Sequence, residues 1–262
     1  MENNKFGKYL FHYTKMSISI EYILNAFELK FSKFTNLNDP IENKKFNISV
    51  WQNFSYKFDE FINKSYKAEE VFYNNSYLLC FSIDKNENNN EIRDGYNLFK
   101  MWAQYSENFK GVCFIFDRRK MINEIYNRYK NDFIIFNKKV EYKDLIKSLK
   151  NYTGEIINIK SNNFNDVYSI ILNHLKKNNK RLYFTKDNDW EGENEYRIVL
   201  FQKDYLKKII DIKVPIKNIL EGIILGCNLN VNYNILFKEL LKNKRIKLFK
   251  QGDKGISIKE II

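Results

Sequence analysis

The order of strand-like and helix-like segments is the feature of this 262-residue sequence that most restricts its fold. Short apolar segments with strand character are mixed with amphipathic helical segments, and the two types do not follow the strict βαβ order of a parallel sheet. The order therefore predicts an α+β domain, with mixed, largely antiparallel strands in the core and helices flanking them.

The predicted elements cover most of the chain. Apolar alternation predicts strands over 8–14, 29–34, 76–83, 111–116, 133–142, 195–201, 209–214 and 221–226, and then 245–250 and 255–262 as two strands or a strand and a turn. Helical spacing predicts helices over 17–28, 46–76, 96–106, 118–130, 144–180 and 231–243. Because no Pro- or Gly-rich linker or internal repeat interrupts the pattern, we expect one domain over 1–262, with helical insertions around 46–76 and 144–180.

Charge and cysteine content restrict the partners and the compartment. A net charge of +12 permits an acidic partner such as nucleic acid or a phosphate-rich cofactor, although Lys-rich codon usage would produce the same charge passively. Three cysteines at wide spacing are typical of free thiols in a reducing compartment. No signal-peptide core is present, and no apolar run approaches the ~20 residues that cross a bilayer. We therefore expect a cytoplasmic protein with no membrane partner.

The common catalytic signatures are absent from the sequence. There is no glycine-rich phosphate loop, no dinucleotide-binding signature and no G-x-S-x-G motif. The two histidines, His12 and His174, are far apart and no cysteines are paired near them, so no metal site is predicted. A nuclease is disfavoured because no cluster of acidic metal ligands is visible.

The segment "DNDWEGENEYRI", residues 187–198, is the strongest local signal. At strand spacing Glu193, Glu195 and Arg197 point to one side, and Tyr196 and Ile198 point to the other. A carboxylate at the start of such a strand is placed to meet a ligand. The simpler interpretation is an exposed strand end with a Glu–Arg pair, which would contribute little to stability, and these residues alone favour it.

His12 presents the same choice between structure and chemistry. It lies in "YLFHYTK", on one strand face with Leu10 and Thr14. A lone histidine in that position is more often a hydrogen-bonded core residue than a functional one. The residues by themselves favour the core interpretation.

A set of ordered sequence blocks favours a functional role both for the 187–198 segment and for His12. "FHYTK", "NDPIE", "LCFS", "MWAQY", "KGVC", "WEGENEYRI" and "IILG" occur in this order over nearly the whole chain. Together they resemble a bacterial family of unknown function that is itself similar to the ADP-ribosyltransferase fold. The resemblance implies a split-sheet ADP-ribosyltransferase-like core and an enzyme that uses NAD as its substrate. It also implies a toxin or anti-phage effector that modifies nucleic acid or protein, with a neutralising partner if it is a toxin.

The resemblance assigns roles to three strand positions. His12 matches the first position, a histidine that binds the nicotinamide ribose, and Glu195 matches the third, the catalytic carboxylate, with Glu193 two residues before it. The second position is open between Ser82 and Tyr105. This sequence has no complete R-S-E set, which argues against modification of protein arginines.

The expected chemistry is charge stabilisation. Breaking the nicotinamide–ribose bond develops positive charge on the sugar, which a fixed Glu195 carboxylate would stabilise. Tyr13 or Trp190 would stack on the nicotinamide, although both are equally consistent with core packing. The complete predicted NAD-binding set is His12, Tyr13, Thr14, Ser82, Tyr105, Trp190, Glu193 and Arg197.

Two further alternatives stay open at this stage. In "NLNDPIE", Asn38, Asp39 and Glu42 would either shape a ligand loop or cap the following helix, and the residues favour capping. The protein would otherwise be a non-catalytic module on the same fold that binds a nucleotide or nucleic acid through its basic surface.

Overall fold

The computed structural model of the chain is built around one open sheet, to which nine of the described strands contribute. The structure describes residues 7–40, 42, 48–49, 58–84, 94–145, 155–156, 164–204, 207, 209, 211–242, 244–252 and 258–261.

The described strands are mostly short, and the longest belong to the centre of the sheet. They are β1 (Tyr9–Thr14), β2 (Glu28–Lys30), β3 (Ser32–Lys33), β4 (Ile48–Ser49), β5 (Ser76–Ser82), β6 (Val112–Asp117), β7 (Phe133–Lys139), β8 (Glu141–Lys143), β9 (Glu155–Ile156), β10 (Thr185–Asp187), β11 (Glu195–Gln202), β12 (Lys213–Pro215), β13 (Leu220–Leu225), β14 (Lys247–Gln251) and β15 (Ile258–Glu260).

The described helices flank this sheet. They are α1 (Met16–Ile18), α2 (Phe58–Asn75), α3 (Phe99–Tyr105), α4 (Arg118–Tyr129), α5 (Phe164–Tyr183) and α6 (Val231–Leu241). Helix α1 continues as a π-helix over Ser19–Leu24, and 3₁₀ turns cover Phe34–Asn36, Asp94–Tyr96 and Asn188–Glu193. None of the helices within the described residues combines the length and apolarity that a bilayer span requires.

The main sheet is antiparallel at all but one of its pairings. Its strand order is β15-β14-β13-β6-β1-β5-β11-β7, and only β13 and β14 run parallel. The predicted α+β class, with a largely antiparallel open sheet and flanking helices, is therefore confirmed. The pattern could predict this because a parallel sheet requires a strict alternation of strands and crossover helices, and the sequence does not have that alternation.

Strand β5 is shared between three neighbours, and this sharing opens the sheet. On one side β5 pairs with β11 over seven positions, from Glu195↔Ser82 to Phe201↔Ser76. On the other side it pairs with β1 at a single position, Phe11↔Ser82, and then with the short strand β3 at Leu78 and Tyr77. Strand β1 instead pairs with β6 along its whole length. The strands β1 and β5 therefore separate beyond one contact, which leaves a gap in the middle of the sheet.

The two regions predicted as helical insertions pack together on one face of the sheet. Helix α2 lies in the first region and α5 in the second, and their apolar side chains meet in one buried cluster with β5 and β11. This cluster includes Phe72 from α2, Ile171 from α5 and Val199 from β11. The helix prediction is wrong at Ile48–Ser49, which forms β4 and pairs with β9 of the other region. The predicted break near 161–165 falls mostly outside the described residues, and α5 begins at Phe164.

Other differences from the predicted elements concern strand ends and exposed faces. The strand predicted over 29–34 divides into β2 and β3, and β10 was not predicted because "TKD" has no apolar alternation. In α6, Phe237 and Leu241 are buried as the spacing predicts, whereas Tyr233 and Leu236 are exposed.

Close backbone packing at the start of β6 makes one glycine necessary. A Cβ atom at Gly111 would overlap the carbonyl oxygen of Thr14, at the end of β1. At Gly192 the nearest atom would be Cδ of the long Lys100 side chain, 3.2 Å away, which can move aside.

We therefore expect Gly111→Ala to lower the free energy of unfolding by about 1–3 kcal/mol, because the backbone of β1 or β6 must shift. Gly192→Ala is the matched control and should change stability much less. Urea denaturation of both variants measures the difference. Equal stabilities would contradict the packing described for Gly111.

Candidate functional site

The gap between β1 and β5 holds a cavity of about 180 Å³. Its wall is formed mainly by β1, β5, the Phe34–Asn36 turn with the two residues that follow, α3 and the start of β11. Single residues of β2, β3 and β10 complete it: Lys30, Ser32 and Lys186. Five of the residues predicted for the site line it, although they come from three separate parts of the sequence: His12, Tyr13, Tyr105, Glu193 and Glu195.

His12 and Glu195 reach this cavity from opposite faces of the sheet. Glu195 is directly opposite Ser82 on β5, and Ser82 is opposite Phe11 on β1, so these three side chains share one face. His12 follows Phe11 and points to the other face. The two functional candidates can border one space because the strands between them are separated.

His12 bridges the gap between the strands. Its Nδ1–H donates to the carbonyl oxygen of Cys80 on β5 at 3.2 Å, and its ring packs edge-on against Phe81 at 5.9 Å. Burial lowers the pKa of His12, and the hydrogen bond to Cys80 offsets this only in part. The neutral imidazole that donates through Nδ1 has an unprotonated Nε2, which can accept a hydrogen bond from a ligand hydroxyl.

Glu195 is held in the cavity wall by two cations. Arg197 donates to both of its carboxylate oxygens, from Nε at 2.7 Å and from Nη2 at 2.9 Å. Lys186, on β10, donates to Oε2 at 3.4 Å. Burial alone would raise the pKa of Glu195, but Arg197 and Lys186 outweigh it and lower the pKa to about 2. The carboxylate is therefore ionised at every ordinary pH.

Arg197 uses all five of its N–H donors inside the protein. Besides its bonds to Glu195, it donates from Nη1 and Nη2 to the two oxygens of Glu42, each at 2.7 Å, and from Nη1 to the Tyr183 carbonyl at 2.8 Å. Both Arg197 and Glu42 are 0% exposed. The guanidinium is thus a bidentate link between two carboxylates that are 153 positions apart in sequence (195 minus 42).

Glu193 is the second carboxylate of the cavity and has its own partners. Lys186 donates to its Oε2 at 2.7 Å, and the Tyr105 hydroxyl donates to its Oε1 at 2.8 Å. Burial and the neighbouring Glu193 raise the pKa of Tyr105 well above its usual value, so the phenol stays protonated as a donor. Lys186 therefore links Glu193 to Glu195, and α3 is tied to the start of β11 through Tyr105.

The five charged groups of this cluster do not cancel. Glu42, Glu193 and Glu195 supply three carboxylates, and Lys186 and Arg197 supply two cations, all of them buried. With their usual charges at neutral pH the cluster carries one net negative charge. A negative buried cluster beside a cavity favours a ligand, or a reaction intermediate, with positive charge.

The interpretation of Glu193, Glu195 and Arg197 as an exposed strand end is wrong. All three side chains are buried in the first part of β11 or just before it. The expectation that the Glu–Arg pair contributes little to stability assumed that both side chains are solvated. Because both are buried, that assumption does not apply.

The structure brings one of the two candidates for the second strand position to the cavity. Tyr105 lines it, whereas Ser82 is 0% exposed and its hydroxyl donates to the Glu193 carbonyl at 2.8 Å. The predicted ligand contact for Ser82 therefore does not fit its placement. Ser82 instead fixes the backbone just before the left-handed residue Asn194, which has φ of 43° and leads into β11.

Four other predicted NAD-binding residues either lie outside the cavity or have polar groups that already hydrogen-bond within the protein. Tyr13 borders the cavity, but its hydroxyl donates to the Gly95 carbonyl at 2.7 Å and its ring packs edge-on against Trp102. Thr14 is buried outside the cavity wall. Arg197 has no donor left for a ligand. Trp190 is half-buried outside the cavity and lies against the ammonium groups of Lys186 and Lys100, at 4.4 and 4.9 Å.

Sequence reasoning missed two contributors to the site, Lys186 and Cys80, and favoured the wrong role for a third, Glu42. Lys186 lies on the unpredicted strand β10, and nothing in "FTKD" distinguishes it from the many other lysines of the chain. For Glu42 the residues left a ligand loop and a helix cap open and favoured the cap, whereas the structure pairs its carboxylate with Arg197. Cys80 lines the cavity beside Glu195, and burial raises the pKa of its thiol.

The cavity residues can orient a hydroxyl-bearing ligand and stabilise positive charge. No group of three or more His, Cys, Asp and Glu side chains in the described part of the chain is arranged to hold a metal ion. The ionisable groups at the cavity include the carboxylates of Glu193 and Glu195, the neutral imidazole of His12 and the phenol of Tyr105. The ammonium groups of Lys186 and Lys30 also belong to its lining, and Lys30 is paired with Asp211.

One family of known proteins matches a part of the chain that includes several residues of this site. Residues 101–198 match the model of a family of proteins of unknown function, DUF2971. The match runs from α3 into β11 and includes Tyr105, Lys186, Glu193, Glu195 and Arg197, but it does not reach His12 or Glu42. No curated protein and no solved structure matches the chain. The expectation of a domain of unknown function is thus supported.

The lowered pKa of Glu195 predicts how stability depends on pH. Its folded pKa of about 2 is below its ordinary value of 4.5, so its contribution is complete above about pH 4.5 and is lost as pH falls towards 2. We expect a loss on the order of 3 kcal/mol over this window from this group. Urea denaturation at pH 2.5–6 measures it, and Glu195→Gln should have a shallower dependence. An unchanged slope in that variant would contradict the assignment.

Proposed function

We propose that this protein is an ADP-ribosyltransferase-like enzyme that cleaves NAD and transfers ADP-ribose to an acceptor. The observation that carries the proposal is that His12 and Glu195 line one cavity although they are 183 positions apart (195 minus 12). Both were expected at an NAD site because of the resemblance of the sequence blocks. The gap between β1 and β5 supports the proposal further, since a split sheet is what that resemblance implies.

The proposed reaction breaks the bond between nicotinamide and C1′ of the ribose. Nicotinamide leaves as a neutral molecule with the bonding electron pair, and positive charge develops on the sugar. Glu195 stabilises this charge more than it stabilises the ground state. The acceptor then forms a bond to C1′ through a lone pair and loses a proton. Neutral His12 would orient the ribose by accepting a hydroxyl hydrogen bond at Nε2.

The size of the cavity restricts which part of NAD would enter it. Its volume of about 180 Å³ is below the roughly 300–1,000 Å³ of ordinary small-molecule pockets. We therefore expect the nicotinamide and its ribose to occupy the cavity and the rest of the dinucleotide to lie outside it. The acceptor class, nucleic acid or protein, and the roles as toxin or phage-defence effector are predictions from the resemblance, as is a cytoplasmic location.

One observation favours a second candidate function. Both oxygens of Glu195 already accept hydrogen bonds from Arg197, and Lys186 also approaches one of them. A carboxylate so fully paired has less capacity for a substrate, as in a module that binds a nucleotide without turnover. Binding of NAD without release of nicotinamide would favour this candidate.

We expect Glu195→Gln to reduce nicotinamide release from NAD by at least about 100-fold, because the neutral amide cannot stabilise the sugar cation. Glu191→Gln is the matched control, since Glu191 is an exposed carboxylate on the same segment and should keep full activity. Release of labelled nicotinamide, with varied protein and nucleic-acid acceptors, is the measurement. A wild-type protein that neither binds nor cleaves NAD would remove the proposal.

The tautomer of His12 predicts a pH dependence for NAD binding. Because burial lowers its pKa below the ordinary value of 6.5, the imidazole is mainly neutral from pH 8 down to that value and can accept at Nε2. The NAD affinity should therefore be constant from pH 8 to 6.5 and fall only at lower pH, where protonation converts Nε2 into a donor. Calorimetric titration of wild type, His12→Gln and the control His174→Gln measures this. A fall that persists in His12→Gln would contradict the role of His12.

A further inference from the structure

The segment that precedes Glu42 connects the cavity wall to the buried charge cluster. Asn36, Leu37 and Asn38 line the cavity, and Glu42 follows four positions later as the second carboxylate partner of Arg197. The side chain of Asn38 also hydrogen-bonds Tyr105, which in turn donates to Glu193. The segment from Asn36 to Glu42 thus contacts the partners of both cavity carboxylates, Arg197 beside Glu195 and Tyr105 beside Glu193.

We propose that Glu42 and Arg197 are positioning residues that orient the Glu195 carboxylate towards the cavity and keep the site negative. The inference rests on the proposed function of Glu195, and it adds two residues that do not themselves line the cavity.

The geometry supports the orienting role. A carboxylate that accepts from Nε and Nη2 of one guanidinium is held in the plane of that group. Arg197 could still turn about its own side-chain bonds if Glu195 were its only partner. Glu42 occupies the adjacent Nη1–Nη2 edge with two further bonds of 2.7 Å, and the Tyr183 carbonyl takes the fifth donor. The plane of the guanidinium is therefore fixed from outside the cavity, and Glu195 is fixed with it.

The charges support the second part of the role. Arg197 alone would neutralise Glu195, which would weaken the stabilisation of a positive sugar. Glu42 adds a negative charge behind the guanidinium, so that the group of three carries one net negative charge. Glu42 thereby allows one arginine to hold Glu195 in place without cancelling its field at the cavity.

The test compares Glu42→Gln with Glu124→Gln. Glu124 is the control because it is a half-exposed glutamate outside the site that also pairs with an arginine, Arg128, at 3.4 Å. For Glu42→Gln we expect kcat for nicotinamide release to fall by about 10–100-fold, with little change in KM for NAD, as for other groups that orient a reacting residue. The Glu124→Gln protein should match wild type in both parameters.

A second measurement separates orientation from simple loss of stability and does not depend on activity. In protein labelled with ¹³C at the glutamate carboxyl carbons, Glu195→Gln assigns the Glu195 resonance. We expect Glu42→Gln to shift this resonance at pH 7 in a folded protein, because the guanidinium that binds it moves, and Glu124→Gln to leave it in place. If Glu42→Gln does not fold, Glu42→Asp keeps the charge but shortens the side chain, and it should shift the same resonance.

The outcomes distinguish this inference from the proposed function. If the wild-type protein is inactive on NAD but the Glu195 resonance still depends on residue 42, the proposed function is rejected. The positioning of Glu195 by Arg197 and Glu42 is then retained. Normal NAD cleavage, with kcat and the Glu195 resonance unchanged in a folded Glu42 variant, would overturn the positioning roles and keep the proposed function.

Discussion

The buried guanidinium of Arg197 is the interaction on which the arrangement of the site depends. Removing a charge from water costs several kcal/mol unless it is paired and fully hydrogen-bonded, and Arg197 meets this requirement with five internal bonds. The five bonds go to three partners and fix three places: the start of β11 through Glu195, the 36–42 segment through Glu42, and the end of α5 through the Tyr183 carbonyl. Three elements distant in sequence therefore have to meet at this one side chain.

The second constraint is the incomplete pairing of β5. An antiparallel sheet normally leaves no room between neighbouring strands, because their backbones are less than 5 Å apart. Here β1 leaves β5 after one paired position and β3 takes its place further along, so side chains from both faces of the sheet border the same space. The hydrogen bond from His12 to the Cys80 carbonyl spans the separation at a point where the backbone ladder is missing. The separation of β1 from β5 thus accounts both for the cavity and for the position of His12.

The candidate site could be predicted in part from the sequence. Glu195, Glu193 and His12 could be named because they belong to ordered blocks, and strand alternation put the two glutamates together on one side. The exposed character assigned to them was wrong, since a period-two pattern gives the side of a strand but not what covers that side. Helices α2 and α5 cover the later part of that side at Val199 and Phe201. The two glutamates are contacted by Lys186 of β10, and Glu193 also by Tyr105 of α3. Lys186 could not be found, because a lysine in a short unpatterned strand has no local signal until its two carboxylate partners are adjacent.

The sequence by itself determined the class of fold, the identity of most strands and the list of side chains capable of chemistry, because hydrophobic periodicity is a local property that neighbouring residues encode. Only the tertiary structure decided which of those side chains face one another. It brought Tyr105 rather than Ser82 to the cavity. It also placed Arg197, which was predicted to contact the ligand, between Glu42 and Glu195, where it hydrogen-bonds both carboxylates. Such pairings depend on strand register and on the burial of charge, which are set by contacts between residues far apart in the chain.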